Sequence, residues 1–426
     1  MTKNSVSVLL TGSEVLDGRV QDTNANFIAS QLANRGLKLA HFLACDDSIE
    51  DIERCLSFLS AESKYVIISG GIGPTSDDLT RESVAQFLGR NLVLDESILT
   101  PLKKRYEERK RTFHPSNTKQ ALFPEGATVI PNTRGTAAGF FADHRTNDLK
   151  TRFCIVPGVP YEMEKMFIDS ILPEIVAELG TGAVVSKLGF RVFGIAESVV
   201  GASIKALGIP SSIFVSYRAA FPEIHVLLKT EGDPGALIDW HTKAVDAVGA
   251  DAVYTQNFEK PLDEVVSDLL KEKNISVAVA ESCTSGGIGQ ALGRYAGASA
   301  FLRGGAIVYT PEAKIRQLGV AAQTIETHEI VSREVAVEMA KGVREKFSSS
   351  IAVSITGALG PTGGTQRSPI GTFYIGLDSE QKSRGYHFFM PLARAQLNTY
   401  AVWSALDVIR RTLLNFPIIE HSYDGK

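Results

Sequence analysis

An α/β protein with parallel sheets in its two outer parts and a small α+β unit between them is the fold class that this sequence predicts. Three observations lead there. Over residues 1–172 apolar strand-like runs alternate with segments of helical period. From about Val184 to Thr255 the order becomes strand, helix, two strands, helix, strand. After QNFEKPL the strand–helix alternation resumes and runs to the end. A length of 426 residues suits two or three domains. At 44% hydrophobic residues each can bury an ordinary core. The expected division is 1–172, 173–256 and 257–420.

Each element follows from local pattern. SVSVLLT is a short apolar strand. DTNANFIASQLANRG is a helix with Asp22 or Thr23 as its cap and Gly36 as its terminator. LKLAHFLAC is a strand, and SIEDIERCLSFLSAE a helix capped by Ser48. KYVIISGG is a strand that runs into a Gly-rich loop, and TRESVAQFLG is the next helix. Such βα units place functional loops at the C-terminal ends of the strands. KKRYEERKR, at Lys103–Arg111, reads as a solvated helix face. In the middle unit, VVSKLGFRVFG and the SIFVSYRAAFPEIHVLLKT hairpin are strands beside two helices, and nothing there looks catalytic. The last part reads as helix LDEVVSDLLKEKN, strand ISVAVAES, turn CTSGG, strand RGGAIVYT, helix SREVAVEMAKGVREKF, and strands SIAVSITG and GTFYIGL. An amphipathic helix from about Arg394 to Asn415 closes it.

Composition excludes some functions. A formal charge of −4 argues against bulk binding to nucleic acid, which needs a basic face. Cys45, Cys55, Cys154 and Cys283 form no CxxC pair, so isolated thiols in a reducing cytoplasm are expected rather than a disulfide framework or zinc site. The N-terminus MTKNSVSVLLTG has no signal-peptide pattern, and no apolar run reaches bilayer length. A cytoplasmic protein with neither membrane nor nucleic-acid partner is the expectation.

Two loops carry the chemistry. IISGGIGPTSDD (67–78) and ITGALGPTGG (355–364) both lead from an apolar strand into Gly-Pro-Thr. Gly70, Gly71 and Gly73 let successive N–H groups face one concavity, a phosphate nest in which Thr75 takes part. Asp77 and Asp78 add hard oxygen ligands for a divalent cation, with Asp17 and Asp22 expected at the same sheet edge. The bland alternative is that the pair caps the helix that starts near Thr80. The C-terminal loops offer hydroxyls, a tyrosine and a lysine instead: Ser282 and Thr284, Ser299, Tyr309, Lys314 and Thr356. A hydroxyl nucleophile needs a base, and a lysine of depressed pKa can serve. Spacing alone favours the alternatives, a helix cap or turn residue for Ser299 and a surface lysine for Lys314.

These strings also carry a resemblance. GSEVLDGRVQDTNANFIASQLANRG, SGGIGPTSDDLTRE, NTKQALFPEGA, GTAAGF and PGVPYEM in the first half, and AESCTSGG, GASAFLRGGAIVYTPEAK, VSREVAVEMAKGV and SITGALGPTGG in the second, resemble the CinA (competence/damage-inducible protein A) family over essentially the whole chain. The resemblance implies a MoaB/MogA-like, molybdopterin-binding-type first domain that hydrolyses ADP-ribose to AMP and ribose 5-phosphate with a divalent metal. It implies a KH-like middle domain. It further implies a C-terminal nicotinamide-nucleotide amidase that turns nicotinamide mononucleotide and water into nicotinate mononucleotide and ammonia without a cofactor, in a homodimer. The alternative is a nucleotide- or molybdopterin-binding protein with a non-catalytic C-terminal dimerisation domain.

Carried over by motif, the serine, tyrosine and lysine of the amidase fall on Ser299, Tyr309 and Lys314, with Ser282 and Thr356 beside them. Substrate contacts fall on Thr284, Gly286, Gly357, Gly360 and Arg394. Four positions depart from the family pattern. Ser285 and Leu359 replace small residues and would tighten the amidase pocket, Ala138 replaces a proline, and Asn398 stands where a basic residue is common.

Overall fold

The computed structural model describes residues 5–145, 150–182 and 185–420. The chain divides into two compact units that meet between Val185 and Ser186. The first boundary thus falls later than residue 172. The helix Leu172–Leu179 buries Leu172 and Ile175 in the first unit's core, so it belongs there. Val184 of the expected middle strand, the first four residues of the expected N-terminal segment and the last six of the chain lie outside the described residues.

The first unit is a six-stranded sheet in the order β2-β1-β3-β8-β7-β6. Its strands are β1 (Val6–Thr11), β2 (Leu39–Cys45), β3 (Tyr65–Ser69), β6 (Thr128–Ile130), β7 (Gly139–Arg145) and β8 (Lys150–Val156); β4 (Leu92–Leu94) and β5 (Leu122–Pro124) pair separately. β2, β1, β3 and β8 are parallel, whereas β7 and β6 add an antiparallel edge. β1 and β3 are buried along their whole length, as strands covered on both faces must be. Two cores result, one on each face. The expected caps form: Ser48 Oγ accepts from the Asp51 amide at 3.2 Å, and Asp22 Oδ1 from those of Asn24 and Ala25 at 2.9 and 3.2 Å.

The second unit holds two sheets. The four-stranded one runs β10 (Ile213–Ala220), β11 (Glu223–Thr230), β9 (Ser186–Val192), β12 (Val253–Thr255), all antiparallel, with two helices as the sequence pattern predicts. The five-stranded one runs β14 (Leu302–Ile307), β13 (Val277–Glu281), β15 (Ile351–Gly357), β16 (Thr372–Ser379), β17 (Ser383–Phe389). β14, β13 and β15 are parallel, but β16 and β17 form an antiparallel hairpin, so strict βα alternation stops at Gly357.

The last helix, Arg394–Leu413, differs from the amphipathic expectation: from Ser404 to Arg411 every residue is buried. Polar members of that run are neutralised internally. Asp407 accepts from Arg410 Nε at 2.7 Å and Arg411 Nε at 2.6 Å, and Arg411 Nη1 reaches Asp251 at 3.1 Å. The four cysteines are free thiols. Among the described residues no helix is long and apolar enough to cross a membrane.

Candidate active sites

In the first unit the C-terminal ends of β1, β3 and β8 open into a cleft of about 490 Å³. This is where an open parallel sheet places its ligands. Gly70, Gly71, Gly73, Asp77 and Asp78 all line it. Gly71 must be glycine: its φ is +60°, and a Cβ would stand 2.2 Å from Thr80 Oγ1. The amides of Gly71, Ile72 and Gly73 have no hydrogen-bond partner among the described residues, so they are available to an anion. Behind the loop lies Arg81, fully buried, which donates to the carbonyls of Ile72 at 2.5 Å and Ala138 at 3.4 Å. Burial lowers its pKa to about 10, which still leaves a cation under the loop at neutral pH. Ala138, where a proline was expected, is buried and supplies that carbonyl.

Thr75 is turned away from the ligand role. Its N–H and Oγ1 donate to Asp78 Oδ2 at 2.8 and 2.5 Å, fixing that carboxylate in the loop. The capping alternative fails, because the helix Thr80–Phe87 has Leu79 at its N-cap and no side-chain cap. Asp17 and Asp22 do not join the cleft: Asp17 pairs with Arg19 at 2.6 Å and Asp22 caps its helix. Three carboxylates that the sequence reading passed over do line it, namely Glu14, Asp47 and Glu162.

No three acidic, imidazole or thiol groups among the described residues already converge as a metal site. The donor chemistry nevertheless fits a hard cation: five carboxylates share one cleft. Asp47 has its pKa raised by burial and by the charges of Glu14, Asp46 and Asp77, against the hydrogen bond from the Ser13 amide.

The second site lies at the C-terminal ends of β13, β14 and β15. Lys314 is 0% exposed, on the helix Pro311–Leu318, so the surface-lysine alternative is wrong. Its Nζ donates to Ser282 Oγ at 3.0 Å and to the Val308 carbonyl at 2.7 Å. Burial lowers its pKa from 10.5 to about 8, with the neighbouring Cys283 opposing. Val308 helps to enclose it, but Ile307, expected to do the same, is 61% exposed. The same burial pushes the Cys283 thiol up to about 12, keeping it protonated.

The expected pairing of Lys314 with Ser299 is not the one that forms. Ser299 is exposed on the short 3₁₀ turn Ala298–Ala300, and no hydrogen bond joins it to Lys314. Tyr309, also exposed, accepts from Arg394 Nη2 at 3.3 Å, and Arg394 Nη1 donates to the Gly360 carbonyl. These three line up the second Gly-Pro loop, the start of the last helix and the end of β14.

Several assigned ligands serve the scaffold instead. Glu281, buried at the end of β13, accepts from Thr284 Oγ1 at 2.6 Å and from the amides of Gly286, Ile288 and Gly289 at 3.0, 3.1 and 2.8 Å. Thr284 and Gly286 are thus spent on holding the loop. Glu281 is the residue that sequence reasoning missed, because the amides it accepts from lie well beyond it, at Gly286, Ile288 and Gly289. Thr356 donates to the Ile330 carbonyl at 3.1 Å, and Gly357 pairs with Phe373 in the sheet. Leu359 is buried in the main hydrophobic core. Ser285 does occupy a glycine-like conformation, at φ +52°. Asn398 donates to the Cys283 carbonyl at 3.1 Å, so an amide there braces the ESCTSGG turn.

Comparison with known proteins gives two family matches: residues 259–413 match the CinA C-terminal domain, and residues 7–177 a domain described as "Probable molybdopterin binding domain". A CinA-like protein of Citrifermentans bemidjiense is 37% identical over 410 residues, covering 96% of this chain and 97% of its own. A CinA-like protein of Thermosynechococcus vestitus is 36% identical, covering 97% of this chain and 100% of its own. Among solved structures, a Thermoplasma acidophilum CinA described as of unknown function is 32% identical, covers 40% of this chain and 99% of its own, and has a TM-score of 0.37.

Proposed function

The chain belongs to the CinA family, and from that premise we propose that it is a bifunctional hydrolase of pyridine-nucleotide recycling. The C-terminal site would hydrolyse nicotinamide mononucleotide to nicotinate mononucleotide and ammonia. The N-terminal cleft would hydrolyse ADP-ribose to AMP and ribose 5-phosphate. The observation that carries the amidase reading is the buried Lys314 Nζ, 3.0 Å from Ser282 Oγ. Only a neutral lysine can act as a base, and burial is what makes the neutral form accessible near pH 7.

In this reading Ser282, rather than Ser299, is the nucleophile. Lys314 accepts the hydroxyl proton as Oγ attacks the carboxamide carbon. It returns that proton to the nitrogen, which leaves as ammonia, and an ester remains on Ser282. Lys314 then deprotonates a water that opens the ester, freeing the nicotinate product and the serine. Arg394, beside Tyr309 and the Gly360 carbonyl, supplies the positive charge for the ribose phosphate.

In the N-terminal cleft the free amides of Gly71, Ile72 and Gly73 would hold a phosphate. Asp77 and Asp78, with Glu14, Asp47 and Glu162 around them, would hold a divalent cation. Such an ion offsets the charge of two linked phosphates, which a carboxamide substrate does not require. That difference accounts for aspartates after the first loop and glycines after the second. The test is to incubate the protein separately with nicotinamide mononucleotide and ADP-ribose, with and without divalent metal, and to identify products by chromatography. Metal-dependent AMP formation and metal-independent ammonia release support the proposal; failure to convert either substrate refutes the corresponding half.

A further inference from the structure

One buried side-chain atom in the N-terminal cleft has no partner among the described residues. Gln120 lines the cleft, is 3% exposed, and its Oε1 is buried without a hydrogen bond among the described residues. Its position is not loose. It sits on the 3₁₀ turn Pro115–Ala121, between the fully buried Ala121 and Lys119. Lys119 Nζ donates to the carbonyls of Asp78 at 2.5 Å and Thr75 at 3.3 Å and pairs with Glu82 at 3.0 Å. The turn is therefore clamped to the Gly-rich loop, and Gln120 is held against the cleft wall. A buried amide oxygen without a donor is costly, and native chains rarely keep one unless something else completes it.

The missing group is a hydrogen-bond donor, and the rest of the cleft narrows its source. Glu14, Asp47, Asp77, Asp78 and Glu162 are acceptors, as is a phosphate at neutral pH, and the donor amides of Gly71, Ile72 and Gly73 are taken up by the phosphate in this reading. Waters on a bound cation would be drawn to those charged carboxylates before a neutral amide. A sugar hydroxyl is uncharged, and it both donates and accepts, so it matches an amide in either orientation.

We propose that Gln120 is a substrate-binding residue that accepts a hydrogen bond from a ribose hydroxyl of the bound nucleotide. This rests on the ADP-ribose reading of the cleft and assigns it a residue that selects ribose over deoxyribose.

The experiment compares wild type with Gln120→Met, which keeps volume and removes the amide. In the absence of ligand the variant should melt about 2–8 °C higher, because an orphaned polar group has been removed. With ADP-ribose its KM should rise about tenfold or more while kcat changes less. In a second arm, wild type is inhibited by ribose 5-phosphate and AMP and by their deoxyribose counterparts. At least one deoxy compound should bind about tenfold more weakly to wild type and equally well to Gln120→Met.

An unchanged KM, or equal inhibition of wild type by ribose and deoxyribose compounds, overturns the inference and leaves the hydrolase reading standing. A lower melting temperature for Gln120→Met overturns it too, since that is the mark of a structural amide. If wild type neither binds nor cleaves ADP-ribose, both readings fall. The deoxy arm needs only the wild-type protein, so equal binding of ribose and deoxyribose compounds refutes the inference even if the variant does not fold.

Discussion

Raising the pH from 6 to 9 should increase amidase turnover by a factor set by Lys314. With its pKa at about 8, about 9% of the lysine is neutral at pH 7, against about 0.03% for one at its ordinary value, a gain of about 300-fold in available base. kcat/KM for nicotinamide mononucleotide should rise about tenfold per pH unit below 8 and level off above it.

The same displacement is a cost to folding. The folded value lies below the unfolded one, so the unfolded chain binds more protons between pH 8 and 10.5, and stability rises with pH across that window. Below pH 8 the full penalty of about 3 kcal/mol applies. Lys314→Met should therefore abolish turnover and yet raise the unfolding free energy at pH 7, by up to about 3 kcal/mol less the two hydrogen bonds it forfeits. Ammonia release across pH 6–9.5 and urea unfolding at pH 7 test the two halves. A flat pH profile, or Lys314→Met with wild-type turnover, would refute the reasoning. Ser282→Ala should lower kcat by orders of magnitude and Ser299→Ala should not; the opposite ranking returns the nucleophile to Ser299.

Other predictions concern separate residues. Asp77→Asn and Asp78→Asn should each lose most metal-dependent ADP-ribose hydrolysis and leave ammonia release unchanged; wild-type rates in a chelator would contradict this. Ser285→Gly should raise stability by about 1 kcal/mol by relieving a left-handed backbone, while Leu359→Ala, a core truncation, should cost about 2–5 kcal/mol; both are read by urea unfolding. Asp407→Ala leaves buried Arg410 without a carboxylate and Arg411 with one of its two, and should cost about 3–5 kcal/mol, seen as a lower urea midpoint.

What could be read from the sequence was what depends on neighbours in the chain. The caps at Ser48 and Asp22, the middle β-α-β-β-α-β order and the glycine demand at Gly71 are all set within a few residues. The hairpin of β16 and β17 escaped because its strands follow a parallel-strand pattern until the turn near Lys382. The partner of Lys314 depends on contacts across 32 positions, and spacing alone could not choose between two serines. Glu14 and Glu162 lie in the first turns of two helices and Asp47 in a loop, and they meet only because the ends of parallel strands gather them. Asp17 and Asp22 were drawn to the wrong place for the complementary reason: nearness to a strand end in sequence says nothing about which way a turn carries the side chain.

The buried arginines of the last helix bear on how divisible this chain is. Arg410 donates to the Asp251 backbone carbonyl at 2.5 Å, and Arg411 to the Asp251 carboxylate at 3.1 Å. Asp251 belongs to the stretch just before β12, in the middle part, while Arg410 and Arg411 belong to the part matched as a domain on its own. A polypeptide beginning at residue 257 would keep both guanidiniums and lose one of their two acidic partners. Modules that family boundaries present as separable are here joined by a shared ionic lock, and the C-terminal part of this chain carries an inheritance that only its own middle part completes.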